Sequence, residues 1–339
     1  MERYHRKNNA VTTRACIIER MDPVERLLLL MPSFMGYEKS LQNQLKKNYE
    51  VTWLNCDQYD KAILEEYKKC SKFRWMLRKT SLEINEHDQE RAEAKYLMQT
   101  LEKVSTAKNY YSIVFCINGA FLCDEFYQVI KERNPQARFI YYAWDDVKNL
   151  IKQSHIKFFD EKFAYNISEC KRYNFSYCPM FVQNETIGHD SEDLYDILFI
   201  GSAHSDRQKI ADELYSKYGK KYRLFIYLYD PVHTNGQFCY DLPLTYEKYI
   251  EYMRKSKALI DIPQSTQKGP TTRSFDALLT KTKVITVNPY IKDYPIYSDN
   301  ILIVDRNNIV IDDSFIKKPY IETSYQPLTV QKWLKKFNL

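Results

Sequence analysis

Short apolar runs alternate with helical patterns in both halves of the chain. Runs that are short, bulky and β-branched are typical of buried strands in parallel sheets. In the first half these runs are 26–32, 50–55, 111–118 and 137–144. Leu41 and Leu45 recur at helical spacing between the first two runs, and the polar, charged stretch 59–108 is also predicted to be helical.

The same pattern restarts in the second half, after a polar segment (183–193) with one glycine and four acidic residues. Such a segment is typical of a linker between domains. Beyond it, five runs predict a second sheet: 196–201, 223–229, 257–262, 283–288 and 300–304. The amphipathic segment 328–337 is predicted to form a helix that crosses back onto the first domain.

Strands that alternate with helices in two blocks predict an α/β protein with two Rossmann-like domains. The predicted divisions are an N-terminal extension (1–23), a first domain (24–182), a linker (183–193), a second domain (194–322) and a C-terminal helix (323–339). Met21 offers a second translation start before the first strand, so residues 1–20 are expected to be dispensable for stability.

The composition of the chain indicates where the protein is located and which classes of partner it binds. No segment approaches the roughly 18 to 20 apolar residues that span a bilayer, and the first twenty residues lack the apolar stretch of a secretory signal. The eight cysteines show no metal-ligand spacing and are expected to be reduced thiols. The formal net charge of +6 favours anionic partners, and charge alone leaves nucleotide diphosphates, acidic lipid headgroups and RNA open.

The seven glycines are nowhere separated by a single residue, so the chain has neither a GxGxxG fingerprint nor a P-loop. This argues against nicotinamide or flavin binding and against P-loop phosphoryl transfer. If this α/β protein binds nucleotides, it must bind them through a structural element other than a glycine-rich fingerprint.

One candidate phosphate-binding element follows the predicted strand 257–262. Gly269 suits an N-cap and Pro270 suits the first helical position, because the N–H that proline lacks has no intrahelical partner there. The N–H groups near Thr271, Thr272 and Arg273 would then point out of the helix start, where they and the helix dipole favour a phosphate. The alternative is a helix start without a ligand.

The same predicted helix carries Asp276. Phe275, Leu278 and Leu279 lie at positions i, i+3 and i+4 and are expected to face the core, so Asp276 is expected to face elsewhere. A carboxylate one turn into a phosphate-binding helix suits the hydroxyls of a ribose. Alternatively, Asp276 only stabilises the first turns of the helix electrostatically.

A second candidate cluster (201–207) lies at the carboxyl end of a predicted strand, where ligands gather in open α/β sheets. The residues expected to face the cleft are Ser202, His204, Ser205, Asp206 and Arg207, with Arg207 suited to bind a diphosphate. The alternatives are that Asp206 caps the next helix and that His204 is simply exposed.

Asp145 and Asp146 follow a predicted strand of the first half, and Asn118 with Gly119 follows another. Paired carboxylates at such a position suit acid or base catalysis, or the binding of sugar hydroxyls. Helix capping is the expected role of at least one of them, because Asp is a favoured N-cap residue. Both loops are expected to face the same cleft.

In their amino-acid sequences and in their order along the chain, these segments resemble bacterial glycosyltransferases of surface-polysaccharide and lipopolysaccharide biosynthesis. The resemblance covers most of residues 24–310, in both halves of the chain. It is carried by the segments 32–41, 142–149, 158–166, 196–207 and 260–288.

The resemblance implies a GT-B fold, in which the C-terminal domain binds a nucleotide-sugar donor and the N-terminal domain receives the acceptor across a cleft. In such enzymes a glycine-containing loop and a helix start bind the donor phosphates, and an acidic residue on that helix binds the ribose. The matching positions here are Gly269, Thr271, Thr272 and Asp276. Many GT-B enzymes carry two glutamates eight positions apart, whereas this chain has Lys268 and Asp276 at that spacing.

The resemblance therefore implies a nucleotide-sugar-dependent, hexosyltransferase-like enzyme that extends a surface polysaccharide or lipopolysaccharide. Residues 270–273, helped by Ser202 and Arg207, would hold the donor diphosphate, and Asp145, Asp146 or His204 would act on the acceptor. No cofactor and no metal are expected.

The expected partners are a nucleotide-sugar and a saccharide or lipid-linked saccharide, with no nucleic acid. A cytoplasmic location is expected, with peripheral contact at the inner membrane surface left open. Two alternatives stay open at this point: transfer of another nucleotide-activated group such as glycerol phosphate, and a catalytically silent assembly partner. The second is raised by the replacement of the first glutamate with Lys268.

Overall fold

A computed structural model describes residues 24–56, 86–105, 110–120, 122–150, 152–183, 188–203, 206–231 and 236–339, with the backbone alone for 86–92. The predicted N-terminal extension, His204, Ser205 and part of the predicted helical stretch 59–108 lie outside the described residues. Inside that stretch, residues 86–104 are helical, as predicted.

The first domain is built on a six-stranded parallel sheet in the order β2-β1-β3-β4-β5-β6. Its strands are β1 (Arg26–Leu30), β2 (Glu50–Leu54), β3 (Ile113–Ile117), β4 (Arg138–Ala143), β5 (Glu161–Ala164) and β6 (Ser176–Tyr177). Its described helices are α1 (Tyr37–Leu45), α2 (Glu86–Val104), α3 (Asp124–Arg133) and α4 (Ile167–Tyr173). Every residue of β3 is buried, which explains its continuous apolar run.

The second domain follows β7 (Phe181–Val182) and has a six-stranded parallel sheet in the order β10-β9-β8-β11-β12-β13. Its strands are β8 (Tyr195–Ser202), β9 (Leu224–Tyr229), β10 (Cys239–Tyr240), β11 (Ser256–Asp261), β12 (Lys283–Thr286) and β13 (Ile301–Ile303). Its described helices are α5 (Arg207–Tyr218), α6 (Tyr246–Arg254), α7 (Thr272–Thr280) and α8 (Asp313–Lys317). The sequence predicted five of these strands and missed the two-residue edge strand β10.

The order of the strands locates the ligand sites that each sheet offers. Counted from its own first strand, the second sheet has the order 3-2-1-4-5-6 of dinucleotide-binding folds, and it reverses between β8 and β11. The first sheet reverses between β1 and β3. Ligands of open parallel sheets bind beyond the carboxyl ends of the strands at such reversals.

The two sheets confirm the predicted fold class: an α/β protein with two Rossmann-like domains that face each other across a cleft (GT-B). One cluster of buried apolar side chains continues from the first domain into the second and includes Tyr37 and Phe275. The residue limits given above for the domains stay predictions.

The last described residues return to the first domain. Strand β14 (Leu328–Thr329) pairs with β7, and helix α9 (Val330–Leu334) follows it. Trp333 of α9 is fully buried, and its indole N–H donates to the carbonyl of Pro179 over 3.0 Å. Its ring packs against Phe115 and Tyr142 of the first sheet.

Direct hydrogen bonds also join the two domains beside the cleft. The Lys148 ammonium donates to the carbonyl of Thr266 over 2.6 Å. The Tyr294 hydroxyl of the second domain donates to Asn166 Oδ1 over 3.1 Å and accepts from the N–H of Ile167. The first domain therefore contacts both the segment that precedes α7 and the segment that follows β12.

Among the described residues, no helix has the length and apolar character needed to span a bilayer. The same residues contain no group of three or more His, Cys, Asp or Glu side chains arranged to hold a metal ion.

Candidate functional site

A cavity of about 480 Å³ lies between the two domains, at the strand reversal of the second sheet. The first domain contributes the segment after β1, including Ser33 and Tyr37, together with Trp144 and Asp145. The second domain contributes the carboxyl end of β8, α6 and the first turns of α7. A volume of this size is typical of small-molecule sites.

A second cavity, of about 410 Å³, lies at the strand reversal of the first sheet. Met31 follows β1 and Asn118 follows β3, and both line it. Phe34, Trp144 and Asp145 line both cavities. The two spaces therefore meet at these three residues, with Asp145 as the carboxylate among them.

Helix α7 begins later than the sequence predicted. Its N-cap is Thr271, which is extended at φ −77° and ψ 163°, and its first helical residue is Thr272, so Gly269 is not the N-cap and Pro270 is not helical. The extended backbone of Thr271 places the start of the helix two residues later than Pro270.

The side chain of Thr271 does not make the hydrogen bond that is usual for an N-cap residue. Its hydroxyl makes no side-chain cap hydrogen bond, has no hydrogen-bond partner, and belongs to a residue that is 7% exposed. Thr271, Thr272 and Arg273 all line the interdomain cavity. The N–H groups of a first helical turn lack intrahelical acceptors, so this helix start presents donors and the positive end of a dipole to the cavity.

Gly269 is required for a close contact between the domains. A Cβ atom at this position would collide with the ring of Tyr165, which belongs to the first domain and is itself buried. The Tyr165 hydroxyl donates to Asp146 Oδ1 over 2.8 Å, which holds the ring in place. The glycine thus serves interdomain packing at the position where the sequence suggested a cap.

Arg273 is paired inside its own domain. Its Nε donates to Oδ1 of Asp261 over 2.9 Å, and Asp261 is 2% exposed at the end of β11. The arginine lines the cavity while this ion pair orients it. Asp261 was not predicted as a site residue, because within its apolar strand nothing in the sequence indicates a partner.

Asp276 lies in the interdomain cavity wall and is 1% exposed. Its Oδ1 accepts from the Tyr246 hydroxyl over 2.8 Å, and its Oδ2 accepts from the Tyr37 hydroxyl over 3.4 Å. Burial raises the pKa of Asp276 to about 7, against the lowering effect of the two hydroxyls and Arg273. The carboxylate faces the domain interface. It accepts hydrogen bonds from two tyrosine hydroxyls, whereas the sequence predicted bonds from the hydroxyls of a ribose.

Arg207 is also occupied by the protein. Its Nε and Nη2 donate to the carbonyl of Ile262 over 2.8 and 2.6 Å, and its Nη1 donates to the carbonyl of Ser202 over 3.1 Å. The residue is 5% exposed, and burial lowers the pKa of the guanidinium to about 9. These bonds join the carboxyl ends of β8 and β11 beside the cavity. The binding of a diphosphate by Arg207 stays a prediction.

The loop before α5 also departs from prediction in one detail. Asp206 is the N-cap of α5, but its side chain makes no capping bond and instead pairs with Arg306 over 2.7 Å. Ser202 is exposed and lines the cavity. His204, predicted to be catalytic, lies outside the described residues.

Asp145 and Asp146 have opposite environments. Asp145 is exposed to both cavities, and its Oδ2 accepts from Asn118 Nδ2 over 2.7 Å. Asp146 is 2% exposed, lines neither cavity, and accepts from Tyr165 and Asn166 with Oδ1. A catalytic role stays a prediction for both, but the contacts of Asp146 already account for it as a packing residue. Asp146 also occupies the N-cap of a 3₁₀ turn without a capping bond.

Sequence reasoning missed most of the aromatic lining. Tyr37, Tyr246 and Tyr249 surround Asp276, and Tyr227 and Tyr229 lie at the carboxyl end of β9 in the wall of the same cavity. Position at the end of β9 was a usable signal for the last two. Tyr246 and Tyr249 lie on α6, where their spacing is equally typical of a core-facing helix.

No known protein family and no curated protein matches this sequence. Solved structures resemble it at low identity. The S. aureus MnaA-UDP co-structure is 9% identical, with a TM-score of 0.48 over 83% of this chain and 84% of that one. Glycosyltransferase SnogD from Streptomyces nogalater is 10% identical, with a TM-score of 0.45 over 93% and 100%. TcCGT1 in complex with UDP is 8% identical, with a TM-score of 0.48 over 86% and 89%. The order of the strands in the two sheets, rather than these likenesses, assigns the fold.

Proposed function

We propose that this protein is a glycosyltransferase that moves a sugar from a nucleotide-sugar donor to a saccharide or lipid-linked saccharide acceptor. The observation that carries the proposal is the meeting of two ligand-sized cavities, one at each sheet reversal, at Asp145. Transfer between two bound substrates requires such a junction. From the resemblance of the sequence, we extend the proposal to acceptors of surface polysaccharide or lipopolysaccharide.

The donor is assigned to the interdomain cavity. A diphosphate there would accept hydrogen bonds from the first-turn N–H groups of Thr272 and Arg273. The Thr271 hydroxyl, buried without a partner, would donate a further bond. These donors stabilise the negative charge that develops on the leaving nucleoside diphosphate.

The reaction would be a single displacement. Asp145 accepts the proton of an acceptor hydroxyl, the acceptor oxygen bonds to C1 of the sugar, and the bond between C1 and the phosphate oxygen breaks. The electron pair of that bond leaves with the nucleoside diphosphate, and the configuration at C1 inverts. Although Asp145 opens onto the cavities, desolvation by the surrounding protein raises its pKa against the bond from Asn118, and the charge of Asp146 raises it further, which strengthens Asp145 as a base.

The first test is thermal stabilisation by UDP, GDP, CMP and dTDP, on the wild type and on Thr271→Val. A ligand at 100 times its Kd should stabilise by about 2.7 kcal/mol. We expect one nucleotide to do so, and Thr271→Val to weaken its binding about tenfold while leaving the unliganded protein no less stable, because the variant removes an unpaired buried hydroxyl. Absence of any shift with all four nucleotides would contradict the proposed donor site.

The second test separates transfer from binding alone. With the nucleotide identified, its sugar conjugates are screened for transfer, and Asp145→Asn should lower kcat about 10²-fold or more with binding retained. Binding without turnover by the wild type would favour the silent assembly partner. Turnover only with donors such as activated glycerol phosphate would favour the other transferase class.

A further inference from the structure

Asn118 holds Asp145 through both ends of its side-chain amide. Its Nδ2 donates to Asp145 Oδ2 over 2.7 Å. Its Oδ1 accepts from the backbone N–H groups of Trp144 and Asp145 over 2.8 and 3.2 Å. One side chain thus fixes both the backbone and the carboxylate of Asp145.

Asn118 itself is fixed from the opposite side. It has a left-handed backbone, with φ at 60°, directly after β3. Its N–H donates to the carbonyl of Tyr142 over 3.1 Å. Its carbonyl lies 2.6 Å from Nε2 of His155, and because a carbonyl only accepts, that nitrogen carries the proton.

His155 is a rigid support for this contact. It is fully buried, and its ring stacks on Tyr127 with centroids 5.3 Å apart and an interplanar angle of 25°. Burial lowers the pKa of His155, so the ring is neutral and keeps a single N–H. Its Nδ1 is buried without a hydrogen-bond partner, which fits an unprotonated nitrogen in an apolar setting.

The geometry points to Asn118 as a positioning residue for Asp145, with His155 fixing Asn118 from behind. This inference rests on the proposed function, in which Asp145 is the base. The bond from Asn118 occupies Oδ2 and leaves Oδ1 to take the proton of an acceptor hydroxyl at the junction of the cavities. Neither Asn118 nor His155 exchanges a proton with the substrate.

Desolvation raises the pKa of Asp145, and Asp146 in the same segment raises it further. The titratable groups that interact with Asp145 from β4 and from the segment after β5 are the hydroxyls of Tyr141 and Tyr165. Asn118, from the end of β3, lowers the pKa of Asp145, and the aromatic walls formed by Phe34 and Trp144 carry no charge. Loss of the Asn118 amide therefore raises the pKa of Asp145 and moves the acidic limb of the activity profile to higher pH.

The test compares two variants. Asn118→Gly keeps the left-handed backbone but removes the side-chain amide. Asn118→Asp keeps the acceptor oxygens but replaces the donating amide group with a negative charge beside the Asp145 carboxylate. We expect the acidic limb of kcat to move upward by about one pH unit and kcat to fall about 10²-fold, with KM for the donor unchanged. His155→Phe should give the same change in weaker form. Asn48→Asp, an exposed position after α1, is the matched control and should change neither quantity.

A readout without turnover separates this inference from the proposed function. The pKa of Asp145 is measured by NMR of carboxyl-labelled protein, with Asp145→Asn identifying the signal. If the wild type transfers no sugar, the proposed function fails, and a raised Asp145 pKa in Asn118→Gly still supports the contact. An unmoved pKa and an unmoved acidic limb in Asn118→Gly, in a variant with wild-type melting temperature, overturn the inference.

Discussion

The Tyr37 hydroxyl of the first domain lies 3.4 Å from Oδ2 of Asp276 in the second, and Tyr246 donates to the other oxygen of that carboxylate over 2.8 Å. A buried carboxylate therefore links the two domains directly beside the start of α7. Burial raises its pKa from 3.8 to about 7, so the link binds a proton over a pH range in which the unfolded chain does not.

This proton makes stability depend on pH in a defined direction. Between about pH 4 and pH 7 the folded state holds the proton and the unfolded state has lost it. The free energy of unfolding should then fall as pH rises, by at most about 1.4 kcal/mol per pH unit, and level off above pH 7. Asp276→Asn removes this titration, so its stability relative to the wild type should increase from pH 5 to pH 7 in urea titrations.

Tyr37→Phe serves as the control for this prediction, since it keeps the ring and the carboxylate but removes one donor. The free energy of unfolding should keep its dependence on pH, with the midpoint of the change at a higher pH, because one bond to the ionised form is lost. Parallel curves for Asp276→Asn and the wild type would show that Asp276 is ionised throughout this range.

Arg207 is expected to be a structural residue even without a ligand. Arg207→Lys keeps the charge, but a single ammonium cannot replace the guanidinium bonds to Ile262 and Ser202. The free energy of unfolding of the unliganded protein should fall by about 3 kcal/mol, because buried carbonyls lose charged donors. Urea denaturation of the unliganded protein measures this.

The matched control is Arg223→Lys, since the Arg223 side chain is exposed beside Asp196 and its replacement should change stability little. Unchanged stability in Arg207→Lys, together with weaker nucleotide binding, would instead support the sequence-based assignment of Arg207 to the diphosphate.

Gly269→Ala should damage the contact between the domains. The added methyl group meets the buried ring of Tyr165, which its bond to Asp146 keeps from moving. Overpacking of this kind costs about 1–3 kcal/mol. In a Tyr165→Leu background the same substitution should cost much less, and a double-mutant cycle measures the difference as a coupling energy. Equal costs in both backgrounds would mean that the damage arises elsewhere.

The sequence predicted the long buried strands, and also the partly exposed β2 and β9. The runs that became β1, β3, β8 and β11 are continuous and apolar because most of their residues are buried in the sheet, whichever face they lie on. The strands that were missed, β5, β6, β7, β10 and β14, have two to four residues and owe their extended form to pairing with a neighbouring strand. No local pattern marks such segments.

The candidate site was predictable only in outline. Loops at the carboxyl ends of strands are expected to face a cleft, and Ser202, Asp145 and Thr271 do line cavities there. The partner of Asp276 was not predictable, because Tyr37 lies 239 positions away and the two meet only when the domains dock. The helix start was misassigned because Pro270 and Thr271 both suit helix beginnings, and only the folded backbone distinguishes them.

Trp333 should contribute strongly to the stability of the first domain, although only six residues follow it in the sequence. Its ring is fully buried against Phe181 and Phe337, with centroids 4.7 and 4.5 Å away. Trp333→Ala should lower the free energy of unfolding by about 3–5 kcal/mol, the cost typical of removing a large buried aromatic ring. Urea denaturation measures the change.

Two controls separate the contribution of the ring from that of the indole N–H and of the helix. Trp333→Phe keeps a ring but loses the bond to Pro179, so it should cost less than alanine. Lys332→Ala, on the exposed side of the same helix, should stay within about 0.5 kcal/mol of the wild type. If Trp333→Ala were as mild as Lys332→Ala, the C-terminal segment would not be docked on the first domain in solution, and the pairing of β14 with β7 would have to be absent as well.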